Sequence, residues 1–163
     1  MQPDYLAPSV QLSTESISKS SADILFIPIF EDHGSASLKG LLSGEEAQEL
    51  GRARASGEFK CKNFESLVLS IKKPKGSNVK RIALLGAGKR KSMSVDLWRR
   101  LMSTAVIISR KACYAKVAFR CDGADDRIVQ ALVEGAYLGN FNSGSYKTKE
   151  TGFGWVESIE LLV

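Results

Sequence analysis

The residues with the clearest chemical potential form a glycine turn followed by three bases, Gly86-Ala-Gly88-Lys89-Arg90-Lys91-Ser92. A turn that leads from a strand toward a helix can bind an anion through its backbone N–H groups. Two stricter motifs are excluded. A phosphate-binding loop would need glycine at Ala83 and Ser or Thr at Arg90, and a dinucleotide fingerprint would need glycine at Lys91.

The other titratable residues form no recognisable catalytic group. His33 is the only histidine, which excludes multi-histidine zinc sites and leaves an acid–base role without an obvious partner. Because Glu31-Asp32-His33-Gly34 has the composition of a loop, we expect a solvated imidazole. Asp122 falls at a strand end and Asp125-Asp126 at a helix start, so we expect capping rather than metal binding.

The cysteines Cys61, Cys113 and Cys121 are odd in number and widely spaced, which is typical of reduced thiols rather than of a disulfide framework. We expect all three to be packing residues.

Charge is distributed unevenly along the chain. Residues 1–50 hold eight acids and two bases, whereas residues 60–120 hold sixteen bases and two acids. Three groups of these bases fall in predicted turns or strand ends, where they could meet phosphate or another acidic surface: Lys72, Lys73 and Lys75, then Lys80 and Arg81, then Lys89, Arg90 and Lys91. The candidate contacts for an anion or nucleic acid are Lys72, Lys73, Lys75, Lys89, Arg90 and Lys91. The alternative is a solvated face that packs against the acidic first third or keeps the domain in solution.

Length and composition indicate one globular domain. A chain of 163 residues can bury a single core, and 44% hydrophobic with 25% charged residues is ordinary for such a domain. The longest apolar run, Ile24 to Phe30, is far shorter than the roughly 20 residues that cross a bilayer. The N-terminus also lacks a basic-then-apolar signal pattern, so we expect a cytoplasmic protein without a membrane segment.

Periodicity predicts the elements that position these residues. The run 23–30 is apolar throughout, which is typical of a strand covered on both faces. Ser43 and Glu46 form a capping box and Gly57 a helix stop. Strands are predicted at 8–14, 23–30, 63–72, 80–85, 116–121 and 155–163, and helices at 43–55, 94–113 and 125–139. Their alternation predicts a mixed or mostly parallel sheet with helices on its faces.

Several segments resemble one enzyme family. Leu132-Val-Glu-Gly-Ala-Tyr-Leu-Gly-Asn-Phe141, followed by Ser145-Tyr146-Lys147-Thr148, is similar to the helix "egaxLGxYxFxxYK" that closes the non-catalytic N-terminal domain of leucine (cytosol) aminopeptidases. Residues 22–30 resemble the early strand "gDxLvvgvfe" of these proteins, residues 38–42 the short segment after it, and residues 79–89 the strand and turn "kRvllvGlGk". One departure is that Asn140 or Phe141 stands at the tyrosine-type position, before a turn at Gly144.

The resemblance implies a macro-domain-like three-layer α/β fold, with residues 1–163 as one N-terminal domain and the catalytic metallopeptidase domain absent. The family's "NTDAEGR" metal-site segment does not occur here. This chain alone would then be no enzyme and carry no cofactor. The parent protein would be a hydrolase, a metalloexopeptidase active in proteolysis with two divalent metals, zinc or manganese. Its partners would be the catalytic domain of the same protein and the other subunits of a homo-hexamer, and this domain would shape assembly and access to the active sites.

Two other functions remain open. The basic region 72–92 could bind nucleic acid weakly, since some bacterial relatives act as transcriptional accessory proteins. A stand-alone macro-like nucleotide binder could use Asp23, Gly86 and Gly88, although the asparagine-rich loop of macro domains is missing from residues 28–37.

Overall fold

A six-stranded sheet forms the middle layer of the computed structural model, which describes residues 5–70, 78–141 and 154–163. The spatial order of the strands is β1-β6-β5-β2-β4-β3, and every pairing is parallel except that between β3 and β4. The strands are β1 (Ser9–Ser13), β2 (Ile24–Ile29), β3 (Ser66–Val68), β4 (Arg81–Gly86), β5 (Lys116–Arg120) and β6 (Ser158–Leu162). The helices are α1 (Ser35–Leu38), α2 (Gly44–Ser56), α3 (Val95–Lys111) and α4 (Asp126–Asn140), with 3-10 turns at Ile17–Lys19 and Arg90–Ser92.

Strand β2 is buried along its whole length, as its continuous apolar sequence predicts. Ile24 and Phe26 face a core that α3 and α4 cover, while Leu25, Ile27 and Ile29 face a second core that α1 and α2 cover. The sheet therefore lies between two helical layers, and the predicted mostly parallel three-layer fold is confirmed. No helix in the described part of the chain is long and apolar enough to cross a bilayer.

Local signals placed most helix ends correctly. Ser43 N–H donates to Glu46 Oε2 at 2.7 Å, and Gly57 ends α2 in the left-handed conformation at φ 77°. Ser94 Oγ accepts from Leu97 N–H, and Asp125 Oδ1 accepts from Ile128 N–H at 2.9 Å. The expected capping role of Asp125 is thus confirmed.

Two sequence expectations about the elements are wrong. The strand predicted over 63–72 is only three residues long where it is described, because the backbone turns at Cys61 and Phe64 with positive φ before it can extend. The three-to-four spacing of apolar residues in α3 predicts that Ala112 lies on the buried face of the helix. Ala112 is exposed, however, and Ser109 and Arg110 are buried instead.

Helices α3 and α4 approach each other closely because α4 has two glycines on the shared face. A Cβ atom on Gly135 would overlap the carbonyl oxygen of Arg99, and one on Gly139 would lie 2.7 Å from the carbonyl oxygen of Ser103. Both obstacles are main chain and cannot move as a side chain can. The glycines of the motif Glu134-Gly-Ala-Tyr-Leu-Gly139 are therefore required by packing.

Two buried polar side chains fasten the end of α4. Arg110 donates to the carbonyl oxygens of Gly139 and Phe141 at 3.1 and 2.9 Å, and to that of Gly154 at 3.2 Å. Asn140 donates to Leu6 O and Val156 O at 2.8 Å and accepts from Val156 N–H. Asn140, which with Phe141 is a candidate for the tyrosine-type position of the family's helix motif, is thus fully buried and joins the N-terminal segment to the segment that precedes β6.

We expect Gly135→Ala to destabilise the domain by about 1–3 kcal/mol, the usual range for overpacking, even though alanine is the better helix former. Gly51→Ala is the matched control, since Gly51 is also inside a helix but has nothing within 4 Å of its ideal Cβ. This control is expected to gain about 0.4–1 kcal/mol. Urea unfolding measures both, and equal effects of the two substitutions would contradict the packing role of Gly135.

Candidate functional site

A crevice of about 220 Å³ opens at the carboxyl ends of β2 and β5. The chain leaves β2 toward α1 and α2 on one face of the sheet and leaves β5 toward α4 on the other. In open parallel sheets, ligands bind at the carboxyl ends of two neighbouring strands whose following connections lead to opposite faces of the sheet. The lining residues are Ile27, Pro28, Phe30, His33, Leu41, Arg90, Trp98, Arg120, Cys121 and Asp122.

Pro28 accounts for the opening between the two strands. Ile29 O accepts from Ala87 N–H, so the main-chain groups of Ile29 point toward the β4 side, and by alternation those of Pro28 point toward β5. Proline has no N–H to donate, and the pairing of β2 with β5 stops at Phe26 opposite Phe119. The strands therefore separate at the position where the crevice begins.

His33 lies at this crevice, and the expectation of a solvated imidazole is wrong. Its residue exposure is only 9%, its Nδ1 accepts from Phe30 N–H at 3.2 Å, and its ring packs edge-on against that of Phe30. Burial, followed by the nearby charges of Arg90 and Arg54, holds the pKa of His33 below its usual 6.5. The polar composition of the loop gave no sign that His33 is buried. Because the loop directly follows a buried strand, however, its first residues lie at the core.

Two arginines surround the His33 loop. Arg54 donates to Phe30 O at 3.2 Å and to Cys61 Sγ at 3.2 and 3.3 Å, and these bonds hold the start of the loop in place. The guanidinium group of Arg90 lies over the Phe30 ring at 4.4 Å, with Nη2 2.6 Å from His33 Nε2. Neither guanidinium group has a carboxylate oxygen within 4 Å in the described residues.

A third arginine lines one wall of the crevice, and each of its three side-chain nitrogens donates to another part of the protein. Arg120 Nε donates to both carboxylate oxygens of Asp122, at 2.8 and 3.0 Å. Its remaining nitrogens donate to the carbonyl oxygens of Gly40 and Leu41 at 3.3 Å. Asp122 is thus occupied by an ion pair at the strand end rather than placed in an oxygen-ligand loop.

The thiols show no reactive environment. Cys61 and Cys121 are buried, as expected of packing residues, and burial raises the pKa of Cys121 to about 12. Burial likewise raises the pKa of Cys61, although the Arg54 hydrogen bonds oppose the shift. Cys113 is exposed, so the expectation that it packs in the core is wrong.

The glycine turn at 86–88 is filled by the protein itself. Gly86 N–H donates to Glu65 O, Ala87 N–H to Ile29 O and Gly88 N–H to Cys61 O, while Arg90 N–H donates to Asp32 Oδ1. A Cβ on Gly86 would overlap Lys62 O, and one on Gly88 would overlap Asn63 Oδ1. The N–H groups of Gly86, Ala87, Gly88 and Arg90 are therefore already bonded within the protein, and two of their acceptors belong to the loop 61–65 that packs on the turn.

Asp23 lies at the amino ends of the parallel strands, whereas Gly86 and Gly88 lie at their carboxyl ends. It precedes β2, whereas Gly86 ends the parallel strand β4, opposite Ile29. Its carboxylate binds Lys80 Nζ at 2.6 Å and accepts the N–H groups of Ala115 and Lys116. Burial alone would raise the pKa of Asp23, but these partners lower it. The structure thus does not bring together the three residues of the suggested nucleotide pocket.

The predicted basic residues that are described lie on one exposed surface. Lys89, Arg90 and Lys91 follow the glycine turn, and the loop packed on that turn adds Lys62. Arg100 joins them from α3, with its guanidinium group 4.6 Å above the Phe64 ring. Lys72, Lys73 and Lys75 lie outside the described residues, as do Ser145 to Thr148. Within 5–70, 78–141 and 154–163, no three His, Cys, Asp or Glu side chains could together hold a metal ion.

Comparison with solved structures defines the class of fold. A mutant of tomato leucine aminopeptidase superposes with a TM-score of 0.76 at 20% identity, covering 100% of this chain and 34% of that one. The macrodomain of Thermus aquaticus DarG gives a TM-score of 0.62 at 10% identity, covering 96% of this chain and 99% of that one. The chain therefore has the macro-domain-like α/β fold.

Sequence comparison identifies the family. Residues 26–150 match the model of the cytosol aminopeptidase family, N-terminal domain. A probable cytosol aminopeptidase of Solibacter usitatus is 30% identical over 141 residues, covering 85% of this chain and 27% of the relative. The corresponding protein of Alkaliphilus oremlandii is 32% identical, covering 94% of this chain and 32% of the relative. The chain belongs to this family as its N-terminal domain, and it spans about a third or less of these relatives' length.

The buried histidine gives a pH-dependent stability with a defined sign. The unfolded chain binds a proton near pH 6.5, whereas the folded chain does so only at lower pH, so stability should fall as pH decreases from 6.5 through the folded pKa. Thermal unfolding between pH 7.5 and 5.5 should show this loss, and His33→Gln should remove it. Since there is one histidine, NMR titration reports the site directly, and a pKa of 6.5 or above would contradict the account.

Proposed function

We propose that this chain is the non-catalytic N-terminal domain of a metal-dependent aminopeptidase that releases N-terminal amino acids from peptides. The observation that carries the proposal is the family membership, together with the coverage of only 27–34% of related chains. On this proposal residues 1–163 are a single domain, and the rest of the parent protein supplies the catalytic one.

The chemistry of the reaction supports this division. Two-metal hydrolysis needs several carboxylates that converge on cations about 3.5–4 Å apart, so that a bridging water is deprotonated and the carbonyl is polarised. The acids of the described residues are dispersed instead: Asp23, Asp122 and Asp125 are held by separate ion pairs or caps. One structural relative, the bottromycin maturation enzyme BotP, is described in complex with Mn. We place two zinc or manganese ions in the catalytic domain and none in this chain.

We further propose that this domain shapes access to the active sites of a homo-hexamer in the cytoplasm. The relatives' name, cytosol aminopeptidase, supports the location. An exposed apolar cluster at the end of α4 offers a contact for the rest of the same polypeptide. Leu138 and Phe141 are 61% and 52% exposed, with the Tyr5 ring 6.5 Å from that of Phe141. The assembly role rests on the resemblance to the family.

The 163-residue chain should not hydrolyse a leucine-amide substrate in the presence of added Mn²⁺ or Zn²⁺, because the catalytic ligand set lies elsewhere. The parent protein, assayed in parallel, should show turnover that a chelator abolishes. Light scattering of the same samples should give a monomer or weak dimer for the chain and a hexamer for the parent.

Metal-dependent turnover that follows the 163-residue chain through successive chromatographic steps would refute the division of labour. A stable hexamer formed by the chain alone would instead show that this domain carries the assembly contacts itself.

A second candidate function is nucleic-acid binding, which the grouping of Lys62 and Arg100 with Lys89 and Lys91 favours. These residues come from three separate segments, and Asp96 is bound to Arg99 rather than to any of them. A surface with several free cations binds phosphate backbones through release of counterions. A stand-alone nucleotide binder is less well supported, because Asp23 is remote and the amides of the glycine turn are already bonded.

If this surface binds duplex DNA, affinity should be weak, indifferent to sequence and steeply dependent on salt. Changing Lys62, Lys89 and Lys91 to Ala should flatten the slope of log K against log salt by up to about three. The control changes three exposed bases elsewhere, Lys39, Arg52 and Lys111, and should have a smaller effect. Fluorescence anisotropy measures both. Equal effects would refute a localised surface, and sequence-selective binding at physiological salt would favour this function over the first.

A further inference from the structure

The hydrogen bonding of His33 is incomplete in a specific way. Nδ1 accepts the N–H of Phe30, so the proton of the neutral ring lies on Nε2. Nε2 is 2.6 Å from Nη2 of Arg90, and a guanidinium nitrogen can only donate. If the proton were on Nδ1 instead, that N–H would face the N–H of Phe30, and two donors would again meet. Two N–H donors therefore converge on one point, and both residues line the open crevice.

The charge around this point is positive. Arg90 and Arg54 both lower the proton affinity of His33, and Asp32 is the one acid among the described residues that opposes them. Asp32 is itself occupied, since its Oδ1 accepts the main-chain N–H of Arg90. An acceptor that approaches from the crevice and binds both His33 Nε2–H and the Arg90 guanidinium group would replace the direct contact of the two donors, and a charged acceptor would also balance the arginines.

We propose that the crevice is a binding site for a small organic anion, whose carboxylate or phosphate oxygen accepts hydrogen bonds from His33 Nε2 and the Arg90 guanidinium group. The apolar part of the ligand lies against Phe30, Leu41 and Trp98, which line the same crevice. This arrangement, an apolar wall with a few convergent polar groups, is the usual composition of a small-molecule site.

The crevice is small. Its volume of about 220 Å³ is below the range of roughly 300–1,000 Å³ for drug-sized ligands. A single ring or a short aliphatic chain with one anionic group fits this space. None of the three residues of the nucleotide pocket considered from the sequence lines it.

Calorimetric titration of the 163-residue chain with benzoate, phenyl phosphate, inorganic phosphate and uncharged benzyl alcohol tests the site. We expect the two aromatic anions to bind at least ten-fold more tightly than benzyl alcohol, and their relative affinities distinguish a carboxylate ligand from a phosphate ligand. Arg90→Gln should weaken the anions at least ten-fold. Lys91→Gln, which removes the same charge from the neighbouring exposed residue, should change affinity less than two-fold.

The lone histidine gives an independent readout. Binding of either aromatic anion should shift the Nε2 resonance of His33 and raise its pKa, because a nearby negative charge favours the imidazolium. Thermal unfolding of Arg90→Gln verifies that the variant remains folded. The proposal is overturned if neither aromatic anion binds below 10 mM, leaving water as the acceptor, or if Lys91→Gln weakens binding as much as Arg90→Gln.

Discussion

The burial of β2 on both faces is the constraint on which the rest of this domain depends. A strand with no polar face must be covered by helices from two sides and by neighbouring strands at both edges. The parallel partners β4 and β5 supply the edges, and each crossover between parallel strands brings a helix to one face or the other. The three layers and the central position of β2 in the sheet follow from that arrangement.

The residues that identify the family do so through packing. Gly135 and Gly139 let α3 and α4 approach, and Gly86 and Gly88 let the loop 61–65 close over the end of β4. Gly86, Gly135 and Gly139 tolerate no side chain, because their nearest obstacles are main-chain atoms. Gly88 meets the Asn63 side chain instead and has a φ of +66°, which side chains rarely adopt. This explains how a chain that has one histidine, and whose described acids are dispersed, can still carry a recognisable family pattern.

Sequence alone predicted the features that depend on neighbours within a few residues: the capping box at Ser43, the helix stop at Gly57 and the apolar strand 23–30. It did not predict those that depend on distant segments. We expected a solvated imidazole at His33, but distant residues, Arg54 and Arg90, surround its loop. We expected an open glycine turn, but the loop 61–65, which is distant in sequence, covers it. Arg110 likewise depends on distant segments, because it binds carbonyl oxygens 29 to 44 residues away in sequence.

Native-state amide hydrogen exchange of the 163-residue chain tests most directly whether this domain is held together by its own central strand. The account predicts that the amides of Leu25, Phe26, Ile27 and Ile29 exchange only through global unfolding, with a strong dependence on denaturant. The amides of the edge strands β1 and β3 should exchange at lower free energy. Exchange of the β2 amides as fast as those of β1, without dependence on denaturant, would show that the core does not form independently and would contradict the account.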